Sequence, residues 1–180
     1  MKKSLFRPSR KFTLFSAFVT LLNDRLSESI LLPILPSFVL LFDSKASTYG
    51  LLSCTYQLAQ FTASPFIGLM SDRYGRRPVT LFCITGSIIG ISILSFTVLF
   101  DWSTSLATIP LFLLFIARLI DGLSGGTAAT ATTILADISS PEKRAKTFGL
   151  IGVAFGLSFF LGNIFAVSYT HLTLPTKRIV

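Results

Sequence analysis

Five long apolar runs, separated by short polar or basic stretches, constrain this chain more than any other feature. They extend over about 12–42, 48–70, 79–100, 107–135 and 148–166. Crossing a bilayer takes about 20 mostly apolar residues in helical form, and each run approaches or exceeds that length. Helix is the required conformation, because lipid offers no hydrogen bonds to free backbone groups. A transmembrane barrel would need stretches of about ten residues that alternate apolar and polar, whereas these runs are apolar all round. Charged residues make up 13% of the chain, about half of the ~25% with which a soluble domain covers its surface. The predicted fold class is an all-α membrane protein, a polytopic bundle of transmembrane helices.

The net charge is +8. A basic chain can bind nucleic acid, but the basic residues should then lie on a soluble face among stacking aromatics. Here they cluster between apolar runs, so no nucleic-acid partner is expected. Lys2, Lys3, Arg7, Arg10 and Lys11 precede the first run; Arg73, Arg76 and Arg77 follow the second; Lys143, Arg144 and Lys146 follow the fourth. The other two loops carry only Lys45. Basic loops stay in the cytoplasm, which predicts a multi-pass protein of the cell (plasma or inner) membrane with a cytoplasmic N-terminus, Arg76 and Arg144 inside, and Lys45 and Asp101 outside. The first run leads into Asn23-Asp24-Arg25 instead of a small-residue cleavage site, unlike a signal peptide. Cys54 and Cys83 each sit inside an apolar run and read as small buried residues, not as a disulfide. Without Cys/His metal spacing or a nucleotide-binding loop, no cofactor, metal, ATP drive or enzyme activity is expected.

The informative residues are the charges inside the apolar runs: Asp24, Arg25 and Glu28 in the first, Arg118 and Asp121 in the fourth. Each costs roughly 2.5–3.5 kcal/mol at the bilayer centre, so five facing lipid would cost on the order of 10 kcal/mol. They must face one another or a wet cavity. Asp24 and Glu28 are four apart and Arg118 and Asp121 three apart, so each pair shares a helical face. This predicts a polar network of Asp24, Arg25, Glu28, Arg118 and Asp121 lining a central cavity between the first and fourth segments, the cavity to which the resemblance given below assigns protons and substrate. Arg118, which cannot release its proton, would hold a carboxylate ionised there. The structural alternative is that the charges only lock helix packing. Small residues at helical spacing mark close contacts between membrane helices: Gly86 with Gly90, Gly122 with Gly126, and the stripe Gly149, Gly152 and Gly156.

The loop Gly68-Leu69-Met70-Ser71-Asp72-Arg73-Tyr74-Gly75-Arg76-Arg77-Pro78 resembles the signature loop of the major facilitator superfamily, and it falls between the second and third spans as that family's does. Arg118-Leu119-Ile120-Asp121-Gly122 looks like the family's membrane-embedded Arg motif, with Asp121 where a Gln is common. Asp24 followed by Pro33-Ile34-Leu35-Pro36 is similar to the first span of tetracycline-efflux-like members. Ala136-Asp137-Ile138 with Arg144-Ala145-Lys146 is similar to their loop between spans four and five. The resemblance covers about 15–165.

It implies a twelve-helix fold in two six-helix halves, of which this chain supplies about five helices, with the cargo site between halves that rock to alternate access. It further implies a cytoplasmic gating loop of Gly68, Asp72, Arg73, Gly75, Arg76 and Arg77. The implied function is secondary active transport of a small solute, coupled to protons through Asp24 and Glu28, with drug or metabolite efflux as the model case. The implied partners are that solute, protons, the lipid bilayer and the C-terminal half of the same polypeptide. Two departures weaken an antiport reading. Gly162-Asn163 stands where efflux antiporters carry Gly-Pro, and Ser27, Glu28 and Ser29 stand where relatives are small or apolar. A facilitator-like sensor or scaffold that keeps the fold without transport is the alternative. The final stretch, 167–180, resembles a translated sequencing-adapter tail. It is expected to be non-native and to pack against nothing.

Overall fold

The computed structural model describes residues 10–42, 45–100, 102, 108–140, 142 and 144–173. Six helices form among the described residues: α1 (Arg10–Leu40), α2 (Ala46–Tyr74), α3 (Arg76–Leu99), α4 (Thr108–Ser124), α5 (Thr127–Ile138) and α6 (Arg144–Thr173). There is no strand among the described residues. The bundle is therefore all-α, as the apolar runs require.

Three details depart from the simplest reading of the runs. α1 stays helical through the polar stretch Asn23-Asp24-Arg25 and through Pro33 and Pro36. Packed neighbours stabilise membrane helices against the hydrogen bond a proline removes. The fourth run divides at Gly125–Gly126 into α4 and α5, two parts of one span. There Gly125 N–H reaches back to Gly122 O at 3.0 Å and Gly126 N–H to Ser124 O at 2.8 Å. The last helix continues past Ala166, which is buried, to Thr173, and Val167 has an interaction of its own. The tail beyond Thr173, 174–180, lies outside the described residues.

By length and apolarity alone, α3, the α4–α5 rod and α6 can each cross a membrane. α1 and α2 are longer, at 31 and 29 residues, but α1 holds the charges named above and α2 several Ser, Thr, Tyr and Gln side chains. Those two helices carry much of the polar lining of the interior. Leu35, Val39, Leu52, Leu94, Leu114 and Ala117 join α1 to α2, α3 and α4 at one end. Ala17, Leu21, Ala128, Ala131, Leu135 and Ala154 join α1 to α5 and α6 at the other. Phe82, Leu99, Phe112 and Phe160 stay exposed on the outside, an apolar surface suited to lipid.

Close approach explains some of the glycines. A methyl group on Gly122 would stand 2.6 Å from Tyr56 O and 2.8 Å from Ala59 Cβ. On Gly90 it would stand 2.9 Å from Asp121 Cβ. These positions let α4 touch α2 and α3 almost backbone to backbone. Gly149, Gly152 and Gly156, by contrast, meet nothing within 4 Å; the expected contact along that stripe does not form within this chain.

Candidate functional site

α1 separates two polar spaces. The first is a cavity of about 270 Å³ bordered by α1, α2, α3 and the α4–α5 rod, and lined among others by Asp24, Glu28, Tyr56, Ser87, Arg118 and Asp121. Four of the five charges singled out in the sequence thus come together. The pairing within the cluster follows the chain more closely than expected. Arg118 Nη1 lies 3.5 Å from Asp121 Oδ2, three residues along the same helix. On α1, Arg25 Nη2 and Nε donate to Asp24 Oδ2 at 2.9 and 3.2 Å, and Arg25 Nη1 donates to Glu28 Oε2. The carboxylates of α1 are therefore paired with their own neighbour Arg25, not with Arg118. Both sets nevertheless border the same cavity.

Arg118 is the most confined of these groups, 7% exposed. Its guanidinium carbon sits 5.3 Å from the Tyr56 ring centroid, a cation–π contact that the dry setting strengthens. Its Nε–H is buried with no acceptor, as is the Thr127 hydroxyl on the same cavity wall. Ser87 of α3 lines the same cavity as Asp121.

The second space is an open groove of about 460 Å³ on the other side of α1, lined among others by Arg25, Gln57, Gln60, Phe61, Thr132 and Phe155. Arg25 lines this groove, not the cavity, although both of its carboxylate partners line the cavity. Its guanidinium carbon stands 5.3 Å from the Phe155 ring centroid. Gln60 Nε2 donates to Gly125 O at 2.9 Å, beside the break in the fourth span. Tyr56, Gln57 and Gln60 were not singled out in the sequence. The available signal was polarity inside an apolar run, which in a membrane helix marks an inward face.

The expected gating loop is a tight reversal between α2 and α3. Gly75 turns the chain with φ +93°, a conformation any Cβ would strain, and its N–H bonds Ser71 O at 3.1 Å. Arg76 Nη2 stands 3.7 Å from Asp72 Oδ1 and 2.7 Å from Asp137 Oδ2 at the end of α5. Asp137 is thus the principal partner of the loop, which spacing alone did not reveal. Arg73 lies over Tyr74, 5.7 Å from the ring centroid, and Arg77 is exposed at the mouth of a groove shared with Thr13 and Ser16 of α1. Gly68 meets nothing within 4 Å.

Long apolar helices around a cluster of paired charges define a multi-pass membrane protein. The chain belongs to the Major Facilitator Superfamily, whose family model matches residues 14–172. It is 34% identical over 151 residues to the class B tetracycline resistance protein of Escherichia coli, covering 82% of this chain and 35% of that protein. It is 38% identical over 120 residues to major facilitator superfamily domain-containing protein 10 of Homo sapiens, covering 66% of this chain and 24% of that one. Among solved structures it resembles the crystal structure of the human organic anion transporter TETRAN, with a TM-score of 0.66 and 29% identity over 90% of this chain and 42% of that chain. The chain therefore spans about a third of the length of the tetracycline resistance protein it matches.

Proposed function

We propose that this chain forms part of a secondary active transporter that moves a small solute, a drug or metabolite, across the cell membrane by alternating access and couples that movement to protons. The observation that carries the reading is the charge balance at the core. Asp24, Glu28 and Asp121 stand against Arg25 and Arg118, three carboxylates to two guanidiniums within one buried neighbourhood. One excess negative charge deep in a bundle is costly, and a single proton removes it. The relatives support a small solute, since one is named for tetracycline resistance and another as an organic anion transporter. In this reading the Asp72–Arg76–Asp137 cluster holds the ends of α2, α3 and α5 together in one conformation and loosens in the other. The end of the bundle bearing that cluster faces the cytoplasm.

Flux in proteoliposomes carrying the full-length polypeptide of which this chain forms part tests the proposal, with tetracycline and 1-naphthoate as solutes and an imposed proton gradient. Gradient-driven flux of at least one solute is expected, with a loss of about tenfold or more when Asp24→Asn and Glu28→Gln are combined. Flux that ignores the gradient, or that keeps its pH dependence in the double variant, would leave the cluster a packing device.

A further inference from the structure

The helices of this bundle fall into two packing units. α4 lies mainly against α2 and α3, whereas α5, the other half of the same span, lies mainly against α1. In the first unit Gly122 is pressed against Tyr56 O, and Gly86 and Gly90 leave room for Ser124 and Asp121, so α4 touches α2 and α3 almost backbone to backbone. In the second, Ala17, Leu21, Ala131, Leu135 and Ala154 form one apolar cluster of α1, α5 and α6. Ser158 Oγ of α6 donates to Leu22 O at 3.0 Å, and Ser139 Oγ at the end of α5 donates to Thr147 Oγ1 of α6 at 2.6 Å. The border between the units crosses the fourth span at Gly125–Gly126, where the N–H groups reach back only three and two residues instead of four. The cavity beside Asp24 and Arg118 lies on that border, as does a groove of about 390 Å³ lined among others by Thr13, Arg77, Ile84 and Ala131.

We propose that Gly125–Gly126 is a hinge between the units α2–α3–α4 and α1–α5–α6, and that the Gln60 side chain is the latch that holds it closed. Paired small residues are where helices bend sharply, and a few residues suffice to absorb a hinge motion. Gln60 of α2 belongs to the first unit and donates to Gly125 O at 2.9 Å, a carbonyl that an unbroken helix offers to the residue four positions on. The two glycines let α2 lie on bare backbone at the break. A methyl group would stand 2.6 Å from Gln60 Nε2 at Gly125 and 2.5 Å from Ile67 Cγ2 at Gly126. The two ends of the seam differ. At one, Leu35 and Val39 of α1 pack with Leu52, Leu94 and Leu114 of the other unit, an apolar contact that serves as the pivot. At the other, beside the Gly75 turn, the units meet through polar pairs: Thr80 Oγ1 with Thr130 Oγ1 at 3.3 Å, and Arg76 Nη2 with Asp137 Oδ2 at 2.7 Å. Such pairs trade partners with water at little net cost. The embedded ion pairs lie within units, Arg25 with Asp24 and Glu28 in one and Arg118 with Asp121 in the other, so parting the units breaks none of them. The seam therefore opens at the Gly75 end and the charged cavity widens with it; the bundle is two bodies, not one. The hinge stands whether or not the protein carries a solute.

The test uses the full-length polypeptide of which this chain forms part, freed of its native cysteines and held in lipid nanodiscs. Pairs of spin labels at exposed positions are read by double electron–electron resonance. Phe82→Cys with Phe112→Cys reports the first unit, Phe15→Cys with Phe160→Cys the second, and Phe82→Cys with Phe148→Cys spans the seam. Expected are one narrow distance for each pair within a unit and two distances for the pair across the seam. Gln60→Met, similar in length but without the amide, should shift the across-seam populations toward the longer distance about fivefold, the effect of one lost hydrogen bond, and leave the other two pairs unchanged. Gln60→Leu takes its place if that variant does not fold. One narrow distance across the seam in every variant means that the bundle moves as a single body and overturns the hinge. Broadening of all three pairs together is general loosening and overturns it as well. Two distances across the seam in proportions that ignore Gln60 overturn the latch.

Discussion

Removing the Arg118 guanidinium leaves Asp121 as a confined carboxylate without its ion-pair partner. Breaking one side of a buried ion pair typically costs about 3–5 kcal/mol, whereas removing both partners costs far less. Arg118→Leu should therefore destabilise the chain more than the double variant Arg118→Leu with Asp121→Leu. Denaturant unfolding in mixed micelles would show this as a larger midpoint shift for the single change, and equal shifts would mean that the pair contributes nothing to packing. The Arg76–Asp137 pair behaves differently. It is short, at 2.7 Å, but Asp137 is half exposed, and exposed pairs contribute about 0–1 kcal/mol. A double-mutant cycle on Arg76→Gln and Asp137→Asn should return a coupling below about 1 kcal/mol. If the pair is a gate contact, the same substitutions should alter turnover far more than unfolding.

At the scale of helices, the glycines of the sequence divide into two kinds. Gly122 is pressed against Tyr56 O and Ala59 Cβ, neither of which is a flexible side-chain end. Gly152 faces open space. Gly122→Ala should separate α4 from α2 and destabilise the bundle by about 1–3 kcal/mol, the usual cost of overpacking. Gly152→Ala should be neutral or stabilise by up to ~1 kcal/mol through helix propensity. Unfolding midpoints that fail to separate the two variants would contradict the packing described.

The pair also shows what the sequence made legible and what it hid. Apolar length marked the long helices, because a run apolar all round over that length leaves few alternatives to helix. The cost of embedded charge brought Asp24, Glu28, Arg118 and Asp121 to one cavity. Which glycine meets a neighbour, and that Arg25 turns away from the space its carboxylates line, depend on helix rotation. All-round apolar segments carry little periodicity from which rotation can be read. The break at Gly125–Gly126 was hidden for a related reason: Gln60, its partner on α2, is 65 residues away in sequence.

For the whole molecule the open question of physical consequence is which end faces the cytoplasm. The structure brings the start of α1, the Gly75 turn and the end of α5 to one end of the bundle, since Thr13 and Ser16 share a groove with Arg77, and Arg76 bonds Asp137. The basic residues Arg73, Arg76, Arg77, Arg144 and Lys146 lie on segments that meet there, while Lys45 stands before α2 at the opposite end. Charge bias of this size in short loops sets orientation during insertion, so the basic end should be cytoplasmic. Two exposed positions test this without altering any charge: Ser47 near the start of α2 and Ala145 near the start of α6. With Cys54→Ser and Cys83→Ser as background, a membrane-impermeant maleimide applied to intact cells should label Ser47→Cys and spare Ala145→Cys. Permeabilised cells should show labelling at both. The reverse pattern in intact cells would invert the protein in the membrane and place the Asp72–Arg76–Asp137 cluster on the outer side. Labelling of both positions in intact cells would mean a mixed orientation, in which case the basic loops do not govern insertion.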